Sequence, residues 1–167
     1  EVKTVTYAFL YGAGDAKIGL SFDSTLKDAA AKKKGAEIRN AFVSAIDGLA
    51  ELLEAIKQAS KKGYVKSIDG RPIKVESQHK ALNYLLQSGA GVIAKRWMVF
   101  TDESLKDIDC HQLAFIHDEL QFETHPKHAE YLSQCLLESA RRAGQYYNLR
   151  IPIAAEAKCG DSWADVH

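Results

Sequence analysis

Three groups of residues stand out for the chemistry that their types and spacing allow. The first is His117-Asp118-Glu119, two adjacent acids set between Ile116 and Leu120 in a strand-like apolar context. Carboxylates are costly to bury without a cation. A divalent metal is a natural one, because Mg2+ takes carboxylate oxygens together with substrate phosphates. On a regular strand neighbouring side chains point to opposite faces, so Asp118 and Glu119 can serve one metal only if the chain turns there. The other reading is a hairpin turn with two solvated acids. The second group is Lys3, Tyr7 and Tyr11 at i, i+4 and i+8, on one helical face. An ammonium one turn from an aromatic ring can hold a phosphate while the ring stacks on a base, although a helix packing two tyrosines has the same pattern. The third is His79, Asn83 and Gln87, again at i, i+4 and i+8. Asn and Gln can donate to the minor-groove acceptors that all base pairs share, a readout of pair geometry rather than of sequence. A solvated polar face is the alternative.

The elements that must position these groups follow from periodicity and punctuation. Residues 1–11 read as a short helix, broken by Gly12 and Gly14. Gly12-Ala13-Gly14 is no dinucleotide fingerprint, because Lys17 occupies the place of the third glycine. Residues 15–34 predict one or two short helices, with Asp15 and Asp23 or Ser24 as N-caps and Lys32-Lys33-Lys34 before Gly35 as a C-terminus. The stripe Ile38, Phe42, Ile46, Leu49, Leu53, Ile56 predicts one helix over 36–60. Residues 64–76 predict a hairpin around Asp69-Gly70. Lys57, Lys61, Lys62, Lys66, Arg71 and Lys74 concentrate around it, as either a solvated or a phosphate-facing surface. A long helix is predicted over 78–102, two short strands around His117-Asp118-Glu119, a third long helix over 126–147, and a last strand from Ile151 to Ala157. The strand context argues against a His-Asp phosphohydrolase site, which sits on a helix with further His ligands. Glu123 and Asp109 read as surface residues of the same hairpin.

Composition narrows the function classes. The 167 residues are 46% hydrophobic and 26% charged, with 22 Lys+Arg against 22 Asp+Glu. That balance excludes a polybasic tail but leaves room for a local basic patch. Cys110, Cys135 and Cys159 are odd in number and contain no C-x-x-C, against a disulfide framework or a structural zinc site and for a reducing compartment. No run of about 18 apolar residues occurs to span a membrane.

Taken in order, the three groups resemble the C-terminal part of a family A DNA polymerase, most closely those of short-tailed bacteriophages. The run from Lys3 through Tyr7 and Tyr11 to Asp15 resembles motif B, the nucleotide-binding fingers helix and its exit. Ile116 to Leu120 resembles motif C of the palm. Asp69-Gly70-Arg71, the segment His79 to Ser88, and Trp163 to His167 match the family in the right order. The resemblance implies an α+β fold: mainly helical fingers, plus part of an antiparallel palm sheet. It places fingers helices and hairpin at 1–76, and the long helix with a partial palm at 77–167. It implies that Lys3 binds the triphosphate of the incoming dNTP, that Tyr7 lies against its sugar and base, and that Tyr11 checks the nascent pair. Asp118 would hold catalytic Mg2+, two ions in the complete enzyme, with Glu119 in support. His117 would approach the primer terminus, Asn83 and Gln87 would contact the minor groove, and Arg71 would touch the DNA backbone. His79 stands where the family usually has Arg, implying a weaker contact whose charge depends on pH.

The implied reaction is template-directed nucleotidyl transfer to a primer 3′-end on primer-template DNA, in the cytoplasm of the host cell if phage-encoded. A second metal-binding Asp, a basic residue four positions before Lys3, the thumb and any proofreading domain are expected upstream of Glu1. The chain alone is therefore expected to be inactive and to need the upstream palm and thumb segment in cis or in trans. The other class is a noncatalytic DNA- or partner-binding subunit or fragment of a split polymerase.

Overall fold

The computed structural model describes residues 2–166; Glu1, at the start of the sequence-predicted first helix, and the terminal His167 lie outside them. Among the described residues, seven α-helices and two separate two-stranded antiparallel sheets make an α+β fold, mainly helical, as the resemblance implied. Its contacts group into two compact units, Glu1–Ser88 and Gly89–His167. This division falls inside the long fifth helix, whereas the resemblance divides the chain before that helix.

In the first unit, α1 (Val2–Leu10), α2 (Asp15–Phe22), α3 (Asp28–Ala45) and α4 (Leu49–Ser60) precede the hairpin of β1 (Tyr64–Lys66) and β2 (Pro72–Lys74). Val5, Phe9, Ile18, Ile56, Val65, Ala81 and Leu82 form the core, with Ile38, Phe42, Leu49 and Leu53 packed around it. The sequence-predicted helix over 36–60 is two helices, because Gly48 takes a left-handed φ of +81°. The stripe continues across the break since α3 and α4 face the same core, and Ile46, at the break, is exposed instead.

The Lys32-Lys33-Lys34-Gly35 run is not a helix end. It lies within α3, where Gly35 is buried. A Cβ at Gly35 would run into the Asp15 carbonyl and the Gly19 backbone, and one at Gly19 into the backbone of Ala31. Lys32 and Lys33 face solvent, Lys34 lies over the Phe22 ring at 5.4 Å, and the glycine is explained by the close crossing of α2 and α3. Neither Asp15 nor Asp23 is an N-cap: α2 is preceded by Gly14 and α3 by Lys27. Asp23 ends α2 and bonds forward to Thr25, whose N–H and hydroxyl donate to its carboxylate at 2.9 and 2.6 Å. Ser24 caps nothing.

A 3₁₀ turn at Gln78–Lys80 leads into α5 (Ala81–Ser104). In the second unit, the later turns of α5 join β3 (Cys110–Ile116), β4 (Glu119–Thr124), a 3₁₀ turn at Pro126–His128, α6 (Ala129–Tyr146) and the short α7 (Trp163–Val166). Trp97 donates its indole N–H to the Leu136 carbonyl at 2.9 Å, tying α5 to α6. Phe100 lies under the Arg142 guanidinium at 4.4 Å. The sequence-predicted strand from Ile151 to Ala157 does not form: the segment has no regular secondary structure, and among the described residues no strand pairs with it. Its apolar alternation has another use, since Ile153 packs on Gly144 of α6, where a Cβ would come within 2.9 Å of Ile153 Cγ1.

Candidate active site and nucleic-acid interface

Within the first unit, α1 turns Val5 and Phe9 inward and leaves Lys3, Tyr7 and Tyr11 on the surface. Phe9 packs on Phe42 with ring centroids 4.8 Å apart, which fixes the rotation of α1 about its axis. The outward face is then a set. Lys3 Nζ lies 5.9 Å from the Tyr7 ring centroid, and the Tyr7 and Tyr11 rings stack at 6.0 Å, 17° from parallel. A cation next to two near-parallel aromatic faces offers charge for phosphate and flat surface for a base.

The exit of α1 is specified in detail. Gly12 has φ +75°; its N–H reaches the Phe9 carbonyl and the Ala13 N–H reaches the Ala8 carbonyl, both at 2.9 Å. That is a Schellman ending, which favours glycine because the left-handed conformation penalises a Cβ. Gly12 also lies so close to the His79 backbone that a Cβ would collide with the His79 carbonyl. The end of the Lys3–Tyr7–Tyr11 helix and the start of the His79–Asn83–Gln87 run are therefore brought together. His79 itself is in the 3₁₀ turn, while Asn83 and Gln87 share a face of α5. His79 and Gln87 are exposed and Asn83 is half-buried.

Arg39 is a positioning residue that sequence patterning missed. Its Nε donates to the Asp15 carboxylate at 2.6 Å, its Nη2 to the Ala13 carbonyl at 2.5 Å, and its guanidinium lies 5.5 Å from the Phe9 ring centroid. One side chain on α3 thus grips the loop that follows Tyr11. Its only sequence signal is an Arg on the otherwise apolar side of α3. Arg71 sits after the hairpin turn, with its Nε 2.5 Å from Asp69 Oδ2. The Asp69 carboxyl lies below its ordinary value: desolvation pushes it up, and the bonds from the Arg71 backbone and guanidinium and from Ser67 outweigh that.

In the second unit, β3 and β4 pair down to Ile116↔Glu119, so His117-Asp118 is the two-residue turn itself. His117 has φ +55°, as the first central residue of a tight hairpin turn requires. The turn that the two acids need to escape strict alternation is present. Asp118 stands exposed at the tip with no hydrogen bond or ion pair among the described residues. Glu119 is half-buried on β4, and the Gln121 amide donates to its carboxylate. One acid is open to a ligand and its neighbour is held. Among the described residues no three His, Cys, Asp or Glu side chains gather as a metal site. Leu113 sits where the β3–β4 register skips, a bulge that leaves it 60% exposed, and Phe115 on the same strand is also exposed.

The sequence model of DNA polymerase family A matches residues 1–165. The chain belongs to DNA polymerase family A. It is 34% identical to the DNA-directed DNA polymerase of Escherichia phage T7, over 100% of this chain and 26% of that protein. It is 33% identical to that of Enterobacteria phage T3, again over 100% of this chain and 26% of the relative. Among solved structures it is similar to the POL domain of Pol1 from M. smegmatis in complex with DNA primer-template and dNTP. That likeness has a TM-score of 0.81 and 26% identity, covering 99% of this chain and 30% of the other. The chain thus spans about a quarter of the length of the phage relatives.

Proposed function

We propose that the chain is the fingers and part of the palm of a longer DNA polymerase. That enzyme extends a primer 3′-end by template-directed nucleotidyl transfer from dNTP in the cytoplasm, that of the host cell if it is phage-encoded. The observation that carries this reading is the match to the family over nearly the whole chain, with Asp118 on an open hairpin tip in the motif C position. In this reading Lys3 neutralises the triphosphate, Tyr7 supports sugar and base, and Tyr11 closes the face beside the nascent pair. Asn83 and Gln87 donate to minor-groove acceptors, Arg71 meets the DNA backbone, and His79 makes a weaker DNA contact in place of the family's usual Arg. His117 approaches the primer terminus.

The donor set fits Mg2+. Asp118 offers unengaged carboxylate oxygens in solvent, and Mg2+ is commonly held by one or two carboxylates plus phosphates and water. Glu119, fixed by Gln121, lends a second negative charge beside it. When bound, two such ions activate the attacking hydroxyl and stabilise the leaving oxygen. The remaining carboxylate is supplied by a segment outside the 167 residues, and the exposed Leu113 and Phe115 on β3 are surface that such a segment can cover.

Two variants test the nucleotide and minor-groove roles in the full-length enzyme. Tyr7→Phe removes a hydroxyl that can replace the missing 3′-hydroxyl of a dideoxynucleotide in ordering the triphosphate. Discrimination against dideoxynucleotides should rise by about tenfold, the value of a hydrogen bond to a charged group, with little effect on normal substrates. Equal dideoxy-to-deoxy ratios in the two enzymes would remove Tyr7 from this role. Asn83→Ala and Gln87→Ala should slow extension from matched and mismatched termini unequally, because a mispair displaces the groove acceptors. Each lost bond is worth on the order of 1 kcal/mol. Wild-type rates on every terminus in both mutants would make Asn83 and Gln87 a solvated face.

A further inference from the structure

The β1–β2 hairpin has two unlike faces. Val65 and Ile73 pair across it and point into the core, Val65 being 3% exposed. By alternation the other face carries Tyr64 opposite Lys74 and Lys66 opposite Pro72, all four exposed. Side chains directly opposite on an antiparallel pair are close neighbours, so Tyr64 shares its face of the hairpin with Lys66, Lys74 and Pro72. Among the described residues neither Lys66 nor Lys74 has an ion-pair partner, and Tyr64, 42% exposed, has no hydrogen bond. Lys62 adds a further unpaired charge at the entry to β1.

The turn of this hairpin is pinned. The Ser88 hydroxyl donates to the Ser67 hydroxyl at 2.8 Å, fixing it to α5 one residue beyond Gln87. Gly70, with φ +84°, donates its N–H to the Ser67 carbonyl at 2.9 Å, closing the turn. A rigid sheet face with an exposed aromatic between unpaired lysines is a stacking platform with phosphate contacts beside it, the pairing that binds unpaired nucleic acid without regard to sequence.

We propose that the Tyr64–Lys66–Lys74 face binds the single-stranded template ahead of the site of synthesis. This rests on the polymerase reading above. The occupant follows from chemistry: the face offers stacking to a base and charge to phosphates, and a base stacked inside a duplex has no open π-face to give it. The template is the assigned strand because this face belongs to the same compact unit as the nucleotide-facing helix α1, where each templating base must arrive unpaired.

The test uses the full-length polymerase and primer-templates whose template overhang is one nucleotide or, in line with the usual site size, about ten nucleotides. The long overhang should bind more tightly than the short one. Tyr64→Ala should weaken the long-overhang complex by about 5- to 100-fold, with the salt dependence unchanged. Tyr64→Phe should keep the tighter binding, since the ring and not the hydroxyl stacks. The Lys66→Ala/Lys74→Ala double variant should make the salt dependence of log affinity shallower by about 1.4, the single-strand value for two phosphates. An overhang gain untouched by Tyr64→Ala overturns the proposal. So does a gain that follows a displaced 5′ flap instead of the template overhang, and so does displacement of the overhang by polyglutamate with no dependence on Tyr64. The polymerase reading fails separately: all variants, and the wild type, would then fail to incorporate on the one-nucleotide overhang.

Discussion

Asp118→Asn in the full-length polymerase should abolish incorporation while primer-template binding stays near normal. Asp118 is exposed at the hairpin tip and makes no bond that its loss would break. Asn suits turn positions as Asp does, so the hairpin should survive with a stability change within about 0.5 kcal/mol. What changes is charge. An amide cannot offset the positive charge of a divalent ion or the charge shifts of phosphoryl transfer, and such preorganised electrostatics are worth about 10²–10³-fold or more in rate. Single-turnover incorporation measures this, and fluorescence anisotropy of labelled primer-template checks binding. Near-normal rates with Mg2+ would remove Asp118 from the metal site. Glu119→Gln should fall short of that loss, because its carboxylate is already engaged by Gln121.

Gly35→Ala should be the most damaging small substitution in the first unit. Its added Cβ meets only backbone, the Asp15 carbonyl and the Gly19 amide, and backbone cannot rotate away as a side chain can. Overpacking of this kind costs about 1–3 kcal/mol, and more where the neighbours are rigid. The unfolding midpoint should drop by roughly 5–10 °C. Gly91→Ala, on α5 with no atom within 4 Å of the new Cβ, should go the other way. Relief from glycine in a helix interior is worth about 0.8–1.0 kcal/mol. Parallel thermal melts of the two variants decide it, and a Gly35→Ala protein melting with the wild type would mean that α2 and α3 can separate at no cost.

Much of this architecture was legible in the chain. Asp69-Gly70 marked the first hairpin, and the long apolar patterns marked α5 and α6, because in each the local signal and the tertiary contact agree. The failures occurred where they part. The stripe from Ile38 to Ile56 records a shared core, not a continuous helix, so it ran through the break at Gly48. Lys32-Lys33-Lys34-Gly35 has the composition of a helix end, but the glycine answers to another helix crossing above it. Ile151 to Ala157 alternates as a strand does, yet a strand exists only where a partner supplies hydrogen bonds. In the candidate site, the outward triplet Lys3, Tyr7, Tyr11 and the turn at His117-Asp118 could be read directly. Arg39 could not, because its three contacts lie 24 to 30 residues away in sequence.

The approach of Gly12 to His79 separates two things that mutation usually changes together. What Gly12 touches is the carbonyl of residue 79, and every amino acid provides the same carbonyl. The imidazole stands on the surface and takes no part in that contact. A substitution at position 79 therefore leaves the join between the two elements in place. Position 12 has no such latitude. The side chain at 79 can be exchanged without disturbing the scaffold, whereas any side chain added at 12 strikes backbone.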